Sequence, residues 1–552
     1  MSAVLTGIGI GGGNAAGPVA RLAPAPALPA PRTVAEADLP AEAAAVREAL
    51  RQVAADLEQR AAAVEGAAAE VLSANAMMAA DPALADRAEA LVLDSADGAH
   101  ALTAAFGEFR VALEAAGGYF AERVADLDDL RDRSVARLLG LPMPGLPTPG
   151  HPYVLVADDL APADTALLDP AQVLALVTER GGPTSHTSIL AKILGLPAVV
   201  GCTGAAGLAE GQTVLVDAAA GTVEADPLPE TVAEATAREQ RRRELAARVA
   251  GPGRTSDGHR VKLLVNIGAL HELPSAAAAD SEGVGLFRTE FLYLDRAQAP
   301  SVAEQTDAYR TVFTAFAGRR VVVRTLDAGA DKPLPFATAA DEQNPALGIR
   351  GLRTATRDPQ LLDDQLTAIA AAAEGSTAEV WVMAPMVSVP QEAAGFAAQV
   401  RAHGLRVAGS MVEVPAAALR AEALAESCDF LSIGTNDLAQ YTFAADRTLG
   451  SLAELLDPWQ PALLDLVRLT ARAGARYDRP VGVCGEAAAD PALALVLVGL
   501  GVTSLSVAPS CLGDVRASLA GHTLGDCRRL AELALSATDA ATAREGVLKE
   551  LG

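Results

Sequence analysis

Phe430-Leu431-Ser432-Ile433-Gly434-Thr435-Asn436-Asp437 is the stretch that decides how this 552-residue chain folds. It opens as a short apolar run, reads as a buried strand, and breaks at a glycine into an amide and a carboxylate. Strands that end in polar side chains are the units from which α/β active sites are assembled. The same pattern recurs from about Val261 onward. Eight strand candidates, at residues 262–266, 283–288, 321–325, 380–383, 406–413, 430–437, 481–484 and 505–507, alternate with helical patterns. Eight β/α repeats between residues 254 and 552 predict a TIM (β/α)8 barrel.

In such a barrel the site forms at the C-terminal ends of the strands. Arg288, Arg324, Glu413, Asn436-Asp437 and Cys484 end the second, third, fifth, sixth and seventh strands. One polar residue after a strand is ordinary turn chemistry, whereas five of complementary type point to a site. Glu413 and Asp437 suit one Mg²⁺ that keeps waters and takes its other ligands from substrate, or else form buried salt bridges with the arginines nearby. Arg288, Arg324, Arg350 and Arg447 can fork onto phosphate or carboxylate oxygens, with Lys332 as a further point charge. Four arginines beside one metal call for a compact, highly anionic substrate. Cys484, enclosed by Gly482 and Gly485, can exchange a proton with carbon, or can serve as a small buried hydrophobe.

Upstream, residues 229–253 read as a charged linker helix. Residues 141–228 carry short strands at 153–156, 173–177, 198–200 and 213–216, a small α/β domain. Its central turn is Gly181-Gly182-Pro183-Thr184-Ser185-His186-Thr187-Ser188, with a helix expected over 188–194. His186 therefore sits where a glycine loop meets a helix N-terminus, beside unpaired N–H groups that favour an anion. The positive end of the helix keeps the imidazole neutral and nucleophilic, fit to carry a phosphoryl group. The plainer alternative is a capping loop with an incidental histidine. Residues 33–140 show helical periodicity throughout and predict an inserted antiparallel bundle. Residues 1–32 open with Gly7-Ile8-Gly9-Ile10-Gly11-Gly12, formally a dinucleotide fingerprint. The Pro/Ala-rich stretch that follows argues instead for a strand and turn completing the later α/β domain.

Composition narrows the function. A net charge of −25, from 44 basic and 69 acidic residues, opposes nucleic acid or an anionic membrane surface as partner. No uncharged apolar run reaches 18 residues, so membrane insertion is not expected, and the N-terminus lacks the basic region of a secretory signal. Five dispersed cysteines without a CxxC pair argue for a reducing compartment, and so for a cytoplasmic protein.

These motifs, in this order, resemble the enzyme I family of the phosphoenolpyruvate:sugar phosphotransferase system, a branch of the phosphoenolpyruvate (PEP)-utilising enzymes. The 181–188 loop is similar to its phosphohistidine loop. Residues 285–292, 324–327, 344–350, 411–415, 432–438, 445–447 and 484–486 are similar to its PEP-binding signatures. The resemblance implies a swivelling phosphohistidine α/β domain with an inserted carrier-docking bundle, followed by a PEP-binding barrel. It implies PEP-dependent phosphorylation of His186, transfer to the carrier protein HPr, release of pyruvate, and a homodimer formed through the barrel. Mg²⁺ would be held by Glu413 and Asp437, and PEP by Arg288, Arg324, Lys332, Arg350, Asn436 and Arg447. Cys484 would protonate the enolate. Two departures stand out: Asn75, where the family commonly has histidine, and Thr448-Leu449 after Arg447. The related dikinases and PEP synthases share the histidine domain and barrel but need an ATP-binding domain, which is not expected here. A regulatory scaffold with a degenerate barrel would not keep the metal pair, the arginines and Cys484 together.

Overall fold

The computed structural model describes the chain except for residues 1–2, 23–25, 63–66, 95–96, 117–123, 142, 148, 161–167, 183–184, 295, 329–333, 339–341, 448 and 552. The chain divides into two compact units, Met1–Thr236 and Ala237–Gly552.

In the first unit, β1 (Val4–Thr6), β2 (Ile8–Ile10) and β3 (Asn14–Arg21) join five later strands. These are β4 (Tyr153–Ala157), β5 (Val173–Thr178), β6 (Ala198–Val200), β7 (Thr213–Asp217) and β8 (Thr222–Ala225). They form one sheet of order β1-β8-β7-β3-β4-β5-β6-β2. The glycine-rich opening thus supplies three strands rather than one, and β8 is a strand the sequence pattern did not mark. The centre, β3 to β6, is parallel, and antiparallel pairs flank it. β4 and β5 are nearly continuous apolar runs because both faces of the sheet are covered. Leu155, Leu176 and Ala198 pack on one face, and Val154, Val156, Val177 and Val199 on the other.

Between β3 and β4 the chain forms α1 (Leu39–Ala61), α2 (Ala67–Ala79), α3 (Pro82–Leu93), α4 (Gly98–Ala116) and α5 (Val124–Leu139). Leucine and valine at helical spacing (Val46, Leu50, Val53, Leu57) meet Leu84, Leu102, Phe106 and Leu130 in a common core. Asp81 starts α3, its carboxylate accepting from the Ala83 N–H at 2.8 Å with Pro82 at the first helical position. Tyr119 and Phe120, aromatic residues of the expected bundle, lie outside the described residues.

The boundary between the units falls inside the charged helix Pro229–Arg248. Its second half is not a plain solvated face. Glu239 is buried and accepts from Arg242 at 2.6 Å and Arg243 at 2.7 Å, and Arg242 also pairs with Asp514 of the barrel unit. A buried carboxylate needs such partners, and the i,i+3 and i,i+4 spacing provides them.

The second unit is a closed barrel of eight parallel strands. They are β9 (Lys262–Ile267), β10 (Gly283–Phe287), β11 (Arg320–Arg324), β12 (Glu379–Ala384), β13 (Val407–Val412), β14 (Phe430–Ile433), β15 (Val481–Val483) and β16 (Ser504–Val507). All eight expected strands are present, most ending within a residue of the expected position. Leu286, Val322, Met383, Met411, Phe430 and Cys484 form an apolar cluster apart from the larger barrel core. The largest offset is at β14. It stops at Ile433, so Asn436 and Asp437 belong to the first turn of the next helix, Thr435–Phe443. Gly434 ends the strand, and the helix begins at once.

Candidate active site

At the C-terminal ends of the barrel strands a cavity of about 130 Å³ is lined by Arg288, Arg324, Arg350, Asn436, Arg447, Glu413, Asp437 and Cys484. The fold brings together every site residue expected on the barrel except Lys332, which lies outside the described residues. Two carboxylates not assigned a role from sequence, Glu290 and Asp327, share the cavity. Arg324 pairs with Glu290 and lies 3.3 Å from Asp327. Arg350 forks onto Asp327, 2.8 Å from Nη2 to Oδ2 and 3.1 Å from Nε to Oδ1, and reaches Asp437 at 3.0 Å. Arg447 lies 3.5 Å from the other oxygen of Asp437. Arg288 is exposed and, among the described residues, has no ion pair. Three of the arginines are thus paired with three carboxylates, Glu290, Asp327 and Asp437.

The electrostatics follow from burial. Burial opposes the charge of Asp327, but Arg324 and Arg350 outweigh it and hold the carboxyl below its usual range. Burial likewise opposes charge on Arg324 and Arg350, and the facing carboxylates more than offset it, so both stay cationic. Behind the arginines, Gln365 of the helix Pro359–Ala373 accepts from the Leu326 N–H at 2.9 Å and donates to Thr289 Oγ1 at 3.0 Å. Thr289 in turn donates to the Arg324 carbonyl at 3.0 Å. The ends of β10 and β11 are therefore fixed by a buried amide.

Glu413 is different. Burial, then the charges of Asp437 and Asp327, push its carboxyl up to about 8. Its Oε1 accepts from the Met386 N–H at 2.6 Å, while Oε2 is buried with no hydrogen-bond partner among the described residues. Met386 takes a left-handed φ of 56°, an uncommon conformation for a side chain of this size, and with it presents the N–H. Gly434 leaves space beside Oε2, since a Cβ there would lie 2.8 Å from it. An orphaned carboxylate oxygen facing a second carboxylate, with room kept open, fits a hard divalent cation. Among the described residues no third His, Cys, Asp or Glu completes a cage. The protein would supply two ligands and leave the rest to water and substrate, the arrangement Mg²⁺ favours.

Cys484 follows β15 directly. Its N–H donates to the Ile433 carbonyl at 3.2 Å and its thiol to the same oxygen at 3.5 Å, while Ser432 Oγ donates to Sγ at 3.5 Å. Asn266 at the end of β9 donates to the Cys484 carbonyl at 3.3 Å, tying β15 to β9. Burial raises the thiol pKa, so Cys484 keeps its proton until a base takes it.

In the first unit the helix His186–Leu194 starts at His186 itself, two residues earlier than expected. Ser185 is the reason: its Oγ accepts from the Ser188 N–H at 3.3 Å, and Ser188 Oγ donates to the Gly182 carbonyl at 2.6 Å. Gly181, with φ 102°, makes the turn that a side chain would strain. The backbone N–H of His186 is thus among the first, unpaired donors of the helix. Pro183 and Thr184 lie outside the described residues.

Asn75 is fully buried on α2, and neither amide atom is paired among the described residues.

Comparison with known proteins places the chain in a family. Residues 242–524 match the model of the PEP-utilising enzyme, PEP-binding domain; residues 149–221 match the mobile domain and residues 6–123 the N-terminal domain. A phosphoenolpyruvate-protein phosphotransferase of Streptomyces coelicolor is 52% identical over 553 residues, covering 99% of this chain and 100% of that protein. One from Haloferax volcanii is 40% identical over 497 residues, covering 86% of each chain. One from Bacillus subtilis is 36% identical over 488 residues, covering 85% of each. With three matching PEP-utilising domain models and a 52% identical relative along its whole length, the chain belongs to the family of PEP-utilising phosphoenolpyruvate-protein phosphotransferases.

Proposed function

We propose that the chain transfers the phosphoryl group of PEP to His186, releases pyruvate, and passes the phosphoryl group to a histidine of the carrier HPr. The observation that carries this reading is the cavity in which four arginines face four carboxylates. Without ligand Arg324, Arg350 and Arg447 are held by Glu290, Asp327 and Asp437 in the positions where a substrate's anionic groups would meet them. A phosphate and a carboxylate on adjacent carbons then exchange protein carboxylates for their own oxygens at little reorganisation cost.

Arg288, Arg324, Arg350 and Arg447 are assigned to PEP binding, with Lys332 as a further cation. Asn436 accepts from the Glu486 N–H at 3.2 Å, which leaves its NH₂ group to donate to the substrate. Glu413 and Asp437 would hold Mg²⁺, which supplies charge neutralisation at the phosphoryl and carboxylate oxygens. Cys484 is assigned as the proton donor to the enolate carbon, because its burial keeps the thiol protonated. His186 is the phosphoryl acceptor, with helix N–H groups to steady the phosphoryl oxygens. His186 and the cavity belong to different compact units, so the proposal requires the first unit to present His186 to the cavity and later to HPr.

Of the described residues, no helix is long and apolar enough to cross a membrane. We assign the chain to the cytoplasm, as a homodimer through its barrel. The test is pyruvate formation by the purified protein. With PEP and Mg²⁺ alone it should release about one pyruvate per chain and stop, and added HPr should make release continuous. Continuous release without any carrier would overturn the reading.

A further inference from the structure

Cys484 borders a second space as well as the substrate cavity. Beneath it a cavity of about 20 Å³ is lined by Ser432, Gly482, Ser504, Ser506, Arg320 and Trp381. Arg320 and Ser504 open β11 and β16, so this space reaches the N-terminal ends of the strands, opposite the substrate cavity. Half-exposed Gly482, Pro480 and Trp381 stand along its wall.

Its wall mixes apolar side chains, among them Val322, Phe430 and Leu431, with a set of polar groups. Ser432, Ser504 and Ser506 are all buried. The Arg320 guanidinium stacks on Trp381, 3.4 Å above the ring centre, and its Nε is buried without a hydrogen-bond partner among the described residues. The volume exceeds the roughly 10–15 Å³ that one water needs, and several polar groups are at hand to hold it. Ser432 belongs to this lining and also donates to Cys484 Sγ at 3.5 Å.

We propose that this shaft returns a proton to Cys484 after each turnover, through Ser432 and a water in the lower cavity. The inference rests on the reading of Cys484 as proton donor. In the chemical step the S–H bond of Cys484 breaks and a C–H bond forms at the enolate carbon, leaving a thiolate. The Ser432 O–H proton passes to sulfur, and the water proton passes to Ser432. The hydroxide left behind takes a proton from bulk solvent at the lower end. One solvent proton is consumed per pyruvate, and nothing is oxidised or reduced. The geometry favours delivery from below because pyruvate fills the upper cavity when the thiolate forms. A buried thiolate is also costly, so recharging is downhill.

The test uses the full chain and the variants Ser432→Ala, Ser432→Thr and Cys484→Ala. Two rates are measured: the first pyruvate released with PEP and Mg²⁺ alone, and steady-state release with HPr. The first turnover uses the proton already on sulfur. Ser432→Ala should therefore slow steady-state release about tenfold or more beyond whatever it does to the first turnover. Ser432→Thr, which keeps the hydroxyl, should restore most of the lost rate. Equal steady-state rates for Ser432→Ala and the parent would overturn the proposal. So would equal slowing of both rates in both serine variants, the mark of a packing role. If Cys484→Ala forms pyruvate at the parent rate, the assignment of Cys484 itself fails, a result distinguishable from failure of the shaft.

Discussion

Glu413→Gln should stabilise the metal-free barrel at high pH, the reverse of what removing a buried ion-pair partner does. The Glu413 carboxyl is raised from 4.5 to about 8, chiefly by burial and next by Asp437 and Asp327. A carboxyl whose folded pKa lies above its unfolded value binds its proton more tightly in the folded state. Its contribution to stability is complete below about pH 4.5 and is lost as pH rises through about 8. About 3.5 pKa units at 1.36 kcal/mol each give up to about 5 kcal/mol of lost stability by pH 9. The glutamine side chain keeps an oxygen for the Met386 N–H and never ionises, so it escapes that loss. Both tryptophans, Trp381 and Trp459, lie in the barrel unit, so their fluorescence during urea unfolding follows that unit within the intact chain. Without Mg²⁺ at pH 9, Glu413→Gln should unfold at higher urea than the parent, with the gap closing toward pH 5. Saturating Mg²⁺ should raise the parent and not the variant. If the variant is the less stable at pH 9 without metal, Glu413 is a charged structural partner of the arginines and the metal assignment fails.

Asp327→Asn removes the anion shared by Arg324 and Arg350; breaking a buried pair in this way should cost the barrel about 3–5 kcal/mol. PEP should recover part of that loss in the same fluorescence assay, because its oxygens replace the missing carboxylate; no recovery would mean that the arginines do not meet substrate. Cys484→Ala should slow pyruvate formation at least about a hundredfold while leaving PEP affinity within a few fold, read as kcat against KM. Asn75→Leu replaces a fully buried, unpaired amide and should stabilise the first unit by about 1–3 kcal/mol, read by hydrogen exchange of α2. Loss of stability would show that the amide has partners.

The barrel was legible because parallel strands buried on both faces must be continuous apolar runs, and most runs here stop at a glycine or a polar residue. The same rule exposed Arg288, Arg324, Glu413 and Cys484, which sit at or just beyond strand ends. It misplaced Asn436 and Asp437 by one element, since Gly434 ends β14 and the helix starts without a loop. Glu290 and Asp327 were missed although they stand in plain view, two and three residues after Arg288 and Arg324. Their significance is pairing across strands, which spacing along one strand does not reveal. The start of the His186 helix shifted because Ser185, rather than Ser188, caps it. In the charged helix Pro229–Arg248 the pattern of arginine and glutamate concealed a buried Glu239, because local pairing makes a docked face look solvated.

Mapping the phosphoryl group itself tests the central claim most directly. The full chain is incubated with PEP labelled in its phosphoryl group and Mg²⁺, digested under neutral conditions, and the labelled peptide is sequenced. Label should sit on His186 alone, vanish on mild acid treatment as a phosphoramidate does, and be absent from His186→Ala, which should still bind PEP. Acid-stable label, or undiminished labelling of His186→Ala, would contradict the account.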